Sequence, residues 1–275
     1  MNDNFSSLIE DRMVPKSWGH EVLLSIIIPA HNCSERIGYT LESILRQNYP
    51  RLEVIVVDAG STDHTLEIVS SYYPLITRIY SVTEYNIYDM INRGISLASG
   101  RYITVLFPGT NYISDYALQS FAEAAYLHHY PELIYAGAIE REGERTPRQV
   151  LFEMSKSNLS KGISPAPIIS CWFRPDLFET IGKFRTDFSL RSSFEYFCRF
   201  SKEKDLKSIK LNRFFVDYDN GAFSYKKVIP YAIDTWRILA SHYGLRRACI
   251  WFLGVNHLLL LKWLWKTTKG YLFAK

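Results

Sequence analysis

Apolar and polar positions fall into blocks over residues 22–140. VLLSIII (22–28) is a continuous apolar run closed by Pro29. Such a run predicts a strand buried on both faces. Ser34 then offers an N-cap for a helix reaching Gln47. EVIVV (53–57) predicts a second buried strand; it ends in Asp58, and Ser61 or Asp63 can cap a helix to about Ser71. LITRIY (75–80) predicts a third strand. In IYDMINRGISLA (87–98), Ile87, Met90, Ile91 and Ile95 recur at helical spacing. Gly100 breaks the chain before YITVLF (102–107), a fourth strand. A helix over 115–129 and a strand at ELIYAG (132–137) follow.

Alternating strands and helices predict an α/β fold: a mostly parallel sheet flanked by helices. Right-handed crossovers place the C-terminal ends of such strands on one edge, where ligands bind. That edge would carry Pro29 to Asn32, Asp58, the segment 81–86 and Phe107 to Thr110. Beyond residue 140 the pattern loosens. PIISCWF (167–173) reads as a strand, RPDLFETIG as a short helix ending at Gly182, and FEYFCRFSKEK (194–204) as a helix with an aromatic face. Helices over 226–243 and 245–268 close the chain. The expected division is a leader at 1–21, an α/β domain at 22–220 and a C-terminal helical extension at 221–275.

Composition changes this picture in three places. The chain has 275 residues, with 47% hydrophobic and 22% charged, values of one large globular domain. Aromatic residues reach 15%, which suits either an aromatic-lined cleft or an aromatic core. The net charge of +4 conceals an asymmetry: residues 1–140 carry 8 Lys+Arg against 16 Asp+Glu, and residues 141–275 carry 24 against 12. A basic half suits a phosphate-bearing ligand or an anionic lipid surface as well as a solvated face. No nucleic-acid motif accompanies it, so nucleic acid is not an expected partner. The four cysteines form no C-x-x-C pair, which argues against zinc or a disulfide framework and suits a reducing compartment. The polar, acidic first residues do not resemble a signal peptide.

VVDAGSTDHT (56–65) holds the most informative chemistry. A buried strand ending in Asp58 places a carboxylate on the ligand edge, and Ala59-Gly60 allow close approach to the backbone. Such a carboxylate can accept hydrogen bonds from a ribose or base, or can cap the next helix. Neither a G-x-G-x-x-G nor a P-loop pattern is present. SIIIPAHN, QNYPRLEVIVVDAGSTDHT and NIYDMINRGISLASGRYITVL, in this order and spacing, resemble family 2 glycosyltransferases of the GT-A fold, and most of all the bacterial exopolysaccharide or colanic-acid branch. The resemblance covers residues 23 to about 220. It implies transfer of a sugar from a nucleotide-diphosphate donor to an acceptor hydroxyl. By the same resemblance, Pro29, His31, Asn32, Asp58 and Ser61 hold the nucleotide, and Glu84, Asp89 and Asn92 shape the donor site.

The resemblance also exposes departures. Family members place aspartates that bind Mg²⁺ or Mn²⁺ where VLFPGTNY (105–112) has Gly109 and Thr110. Neither residue supplies the carboxylate that a hard cation needs. Asp115, five residues on, is the nearest carboxylate in sequence. Arg93, Arg101, Arg174, Arg185 and Arg191 are candidates for neutralising a donor diphosphate without metal. In GKFRTDFSLRSSFEYFCR (182–199), the general-base aspartate of the family becomes Ser193, and a second aspartate becomes Glu195. Glu195 is the remaining catalytic candidate, although two residues along a helix turn it away by about 200°.

The last segment, LRRACIWFLGVNHLLLLKWLWKTTKGYLFAK, mixes Trp251, Trp263 and Trp265 with Arg and Lys. The 14 residues between Arg247 and Lys262 fall short of the roughly 20 needed to cross a bilayer. The mixture predicts a membrane-interface helix. The resulting expectation is a cytoplasmic glycosyltransferase, peripheral on the inner face of the cytoplasmic membrane. Its partners would be a nucleotide-diphospho-sugar and a glycan or lipid-linked acceptor of surface polysaccharide assembly. The alternative is a glycosyltransferase-like binding or scaffold protein without catalysis.

Overall fold

The structure is a computed structural model, and it describes residues 22–143, 145–219 and 227–254. The expected leader and the expected helix beyond residue 254 lie outside the described residues. The first half follows the apolar blocks. Strand β1 (Leu24–Ala30) is buried along its whole length. Helix α1 (Ser34–Leu45), strand β2 (Leu52–Asp58), helix α2 (Thr65–Ser71), strand β3 (Arg78–Ser81), helix α3 (Ile87–Leu97) and strand β4 (Tyr102–Val105) follow in turn. β1 pairs in parallel with β2, from Leu24↔Leu52 to Ala30↔Asp58, and with β4, from Leu24↔Tyr102 to Ile27↔Val105. β3 adds beyond β2. The strand order β3-β2-β1-β4 therefore reverses direction at β1, and a crevice opens between the C-terminal ends of β1 and β4.

Two close contacts fix helix α3 over that crevice. Asn86 caps the helix, its side-chain oxygen accepting from the backbone N–H groups of Tyr88 and Asp89. Gly94 lies against strand β1: a Cβ there would stand 2.4 Å from Ile27 Cγ2. Only the missing side chain lets α3 settle onto the sheet.

The second half is less regular than a parallel sheet. Strand β5 (Asn111–Tyr112), helix α4 (Ala117–Leu127), strand β6 (Leu133–Arg141), strand β7 (Arg148–Val150) and the short helix α5 (Lys156–Leu159) precede strand β8 (Cys171–Phe173). Helices α6 (Pro175–Thr180) and α7 (Ser192–Phe200), strand β9 (Ser208–Asp219) and helix α8 (Val228–Tyr243) complete the described order. Parallel pairing returns only in β6–β9; β4–β8, β6–β8, β6–β7 and β5–β9 are antiparallel. The connection from β7 to β8 carries only the four-residue α5 and a 3-10 turn at Ile168–Ser170, too short for the crossover helix of a parallel sheet. Part of the aromatic excess builds the core: Phe173, Phe178, Phe184 and Tyr196 pack with ring centroids 4.7–5.9 Å apart under α6 and α7.

Candidate functional site

The crevice is bounded by two strand-end turns laced to each other. His31 Nδ1–H donates to Ala59 O at 2.8 Å, which places its proton on that nitrogen. Asn32, in the left-handed region at φ 45°, donates its N–H to Ser61 Oγ and accepts from Thr62 N with its side-chain oxygen. Asp58 is buried and accepts from both the N–H and the hydroxyl of Ser61, at 2.9 and 2.5 Å. Asp63 accepts from Ser34 N, at the start of α1, and from Thr65 N and Oγ, at the start of α2. The Thr65 hydroxyl, joined by the N–H groups, holds the Asp63 carboxyl far below the usual carboxylate range. Fixed hydrogen bonds therefore define this edge of the sheet before any ligand arrives.

The crevice widens into a cleft of about 1090 Å³. Its walls are Pro29 to Arg36 on one side, Tyr85 to Tyr88 above, Phe107 to Thr110 below β4, and Thr186 to Leu190 with Tyr218 and Asp219 opposite. Of the residues expected from the sequence, Pro29, His31, Asn32, Gly109 and Thr110 line it. Asp58 and Ser61 stand one layer behind, holding Asn32 in place. Glu84 is exposed next to the lining residue Tyr85. Asp89 pairs with Arg93 at 3.7 Å, outside the lining. Asn92 is a fastener: its amide donates to Phe184 O at 2.7 Å and accepts from Phe184 N at 3.1 Å. With Tyr88, whose hydroxyl donates to Leu190 O, it ties α3 to the 184–190 loop.

Residues 107–110 do not form a metal-binding turn. Thr110 is buried and its N–H closes the turn on Phe107 O; Gly109 N donates to the buried Thr40 Oγ. Asp115 faces Arg46 at 4.0 Å and does not enter the cleft lining. Among the described residues, no group of three or more His, Cys, Asp and Glu side chains is placed to hold a metal ion. The donor set at this turn therefore does not fit the Mg²⁺ or Mn²⁺ that the family pattern implies.

The expected arginine clamp is also displaced. Arg93 pairs with Asp89, Arg101 stacks on Tyr130, Arg174 pairs with Glu132 and Asp176, and Arg185 pairs with Asp187. Arg191 is buried, donating to Gly162 O. None of the five lines the cleft. Each has found a partner of opposite charge, an aromatic face or a carbonyl nearer its own element.

Glu195 requires the firmest correction. It is buried on α7, and its two oxygens accept from Arg199 Nε at 3.1 and 2.9 Å and from His242 at 3.2 Å. Burial works to raise its proton affinity, but the hydrogen bonds and charges of His242 and Arg199 outweigh it and the carboxyl titrates below its usual range. Such a group is bound on the wrong side of the helix to take an acceptor proton. Ser193, the other aligned position, donates its N–H to Tyr88 Oη.

Sequence reasoning missed several cleft residues. Asp187 lies on the opposite wall, paired with Arg185 and Arg237 at 2.7 and 2.9 Å, and titrates below the usual range for that reason. Asp219 reaches the cleft because β9 pairs with β5, Asn111↔Asp217. Tyr85 sits 5.1 Å from His31, ring centre to ring centre. Arg36 was discoverable: a helix that starts at the ligand edge must point its first turn into the crevice.

This geometry has relatives. The description Glycosyl transferase family 2 matches residues 25–106. A PGL/p-HBAD biosynthesis glycosyltransferase of Mycobacterium tuberculosis is 30% identical over 180 residues, covering 63% of this chain and 68% of the relative. Among solved structures, Staphylococcus aureus TarS in complex with UDP-GlcNAc superposes with a TM-score of 0.64 at 18% identity, over 86% of this chain and 74% of that one. A mannosyltransferase of Pyrobaculum calidifontis in complex with GDP-Man and Mn²⁺ superposes with a TM-score of 0.60 at 16% identity, over 99% and 83%. The chain is a glycosyltransferase of family 2 with the GT-A fold.

Proposed function

We propose that this glycosyltransferase takes its sugar from a nucleoside diphosphate donor held in the cleft and passes it to a glycan or lipid-linked acceptor of bacterial surface glycan assembly. The observation that carries the reading is the position of the cleft: it lies where the strand order reverses, between the laced ends of β1 and β2 and the turn after β4. Pro29, His31 and Asn32 would line the nucleotide side, with Asp58 and Ser61 fixing Asn32. Tyr85, tilted beside His31, would offer a face to the base. Glu84, Asp89 and Asn92 would shape the donor roof indirectly, through α3 and its fastening to Phe184. On the opposite wall, Asp219 is the carboxylate near enough to the cleft to serve an acceptor hydroxyl, because Asp187 is held by Arg185 and Arg237. The solved relatives hold UDP-GlcNAc and GDP-Man, and the mycobacterial relative is named a PGL/p-HBAD biosynthesis glycosyltransferase, which supports this donor class.

The proposal extends to the segment 221–275 as a tether at the cytoplasmic membrane surface. Leu245, Ile250 and Leu253 are exposed on a helical stretch that also carries Arg246 and Arg247. No helix among the described residues is long and apolar enough to cross a membrane. Removing residues 245–275 should release the protein from anionic vesicles; unchanged sedimentation with vesicles contradicts the tether. The donor reading is tested by thermal shift with UDP, GDP, dTDP and CDP. Stabilisation by at least one, and none by the matching nucleosides, is the expected result. A flat response to the whole panel in folded protein contradicts it.

A further inference from the structure

Where the family pattern places metal-binding carboxylates, this chain places Gly109, and the aliphatic stem of Arg36 lies beside it. A Cβ built at Gly109 would lie 3.4 Å from Arg36 Cδ and 3.7 Å from Arg36 Cβ. The Arg36 stem thus runs along the turn, on the first helical turn of α1, and lines the cleft. Gly109 has φ 95°, a conformation that side chains rarely adopt, so the turn beside Arg36 favours glycine. No ion pair or hydrogen bond engages the Arg36 guanidinium among the described residues. The opposite holds for Arg93, Arg101, Arg174, Arg185 and Arg191. Lys227 is a second basic side chain of the described lining.

Four carboxylates share the cleft wall: Glu35, Asp63, Asp187 and Asp219. Asp63 is committed to capping both α1 and α2, and Asp187 is held between two arginines. Neither is available as a ligand to a hard cation without dismantling the wall.

Resting on the donor reading above, we infer that the donor diphosphate is neutralised by Arg36, aided by Lys227, and not by a bridging divalent cation. A planar guanidinium suits this role, because it meets two phosphate oxygens at once and keeps its charge at any working pH. The wall it stands on is pre-formed. Thr40 bonds the turn at Gly109 N, and Asp63 fixes the start of α1, so Arg36 needs no ordering of the backbone to reach the phosphates.

Calorimetric titration of the full chain with the nucleoside diphosphate selected by the thermal panel, and with its monophosphate, tests this. Titrations run in EDTA and again in Mn²⁺, on wild type, Arg36→Gln, Arg36→Lys and the control Arg101→Gln. Arg101 stacks on Tyr130 away from the cleft lining. Expected are diphosphate affinities equal within about twofold in EDTA and Mn²⁺, and a loss of about tenfold or more in Arg36→Gln, the cost of a charged hydrogen bond. Arg36→Lys should keep part of the affinity, the monophosphate should lose less than the diphosphate, and Arg101→Gln should bind as wild type. Diphosphate binding that weakens tenfold or more in EDTA overturns the inference and points to Glu35 and Asp219 as metal ligands. Wild-type affinity in Arg36→Gln also overturns it. In either case, the wild-type binding leaves the donor reading standing. Absence of all binding overturns both.

Discussion

Glu195→Gln separates a buried structural anion from a proton acceptor. The Glu195 side chain is 2% exposed, and both of its oxygens are engaged by Arg199 and one also by His242. Gln keeps the shape but turns an NH₂ toward donors, so one contact becomes a donor–donor clash. Breaking a buried pair by removing one partner costs roughly 3–5 kcal/mol. Arg199 retains the carbonyls of Ile181, Gly182 and Lys183 as acceptors and is itself 21% exposed. These retained partners reduce the cost below that range, to about 2–3 kcal/mol. For a chain of this size it corresponds to a fall in Tm of about 5–10 °C. The pH dependence has a definite sign. Because the folded carboxyl titrates below its unfolded value, its stabilisation is fully present above about pH 4.3 and is lost as pH falls through the folded pKa. The gap between wild type and variant should therefore be constant from pH 8 to about 5 and close below about 4. Circular dichroism melts across that range, with nucleotide affinity and sugar transfer measured at pH 7.5, decide the matter. A variant that melts within a degree of wild type but loses transfer a thousandfold would refute the structural role and restore Glu195 as the base.

Asn92→Ala removes two hydrogen bonds to the Phe184 backbone and should cost about 1–3 kcal/mol in urea unfolding, with the m-value unchanged. Gly94→Ala drives a methyl to within 2.4 Å of Ile27 Cγ2 and should destabilise by about 1–3 kcal/mol; adding Ile27→Ala should recover part of that, and no recovery would contradict the close packing of α3 on β1. Asp63 titrates far below an ordinary aspartate, so its double cap is present above about pH 3.9 and is lost as pH falls further; Asp63→Asn should flatten this acid limb of the melting curve.

The nucleotide half was legible because it is built from strands buried on both faces. LSIIIPA and LEVIVVD carry no polar alternation to misread, and the turn after β2 advertises its cap in Asp63, which bonds the starts of both α1 and α2. Strand β9 was not legible. Its register to β6 shifts at Ala136/Gly137 and again at Gly137/Ala138, so SIKLNRFFVDYD keeps no period of two, and the carboxylate it delivers, Asp219, could not be placed. Side-chain roles were the hardest to read. Asp58, Asn92 and Glu195 all have the chemistry of a site, yet each spends it on a neighbour: Ser61, Phe184 and Arg199. Residue type announces what a group can do, and only its partners decide what remains free to do it. The arginines show the same rule in reverse. Five attractive cations are consumed locally, while Arg36, one charge in a polar helix start, faces the cleft.

The most direct test of a donor site in this cleft is to find where a donor sits. The azido-base analogue of the nucleoside diphosphate that binds should be photolysed on the full chain, with and without excess unmodified nucleotide, and the labelled peptides mapped. The expected result is protectable labelling within residues 29–36 or 84–88, beside His31 and Tyr85, with the 107–110 turn as the next neighbour. Protectable labelling confined to any surface outside those segments would contradict it.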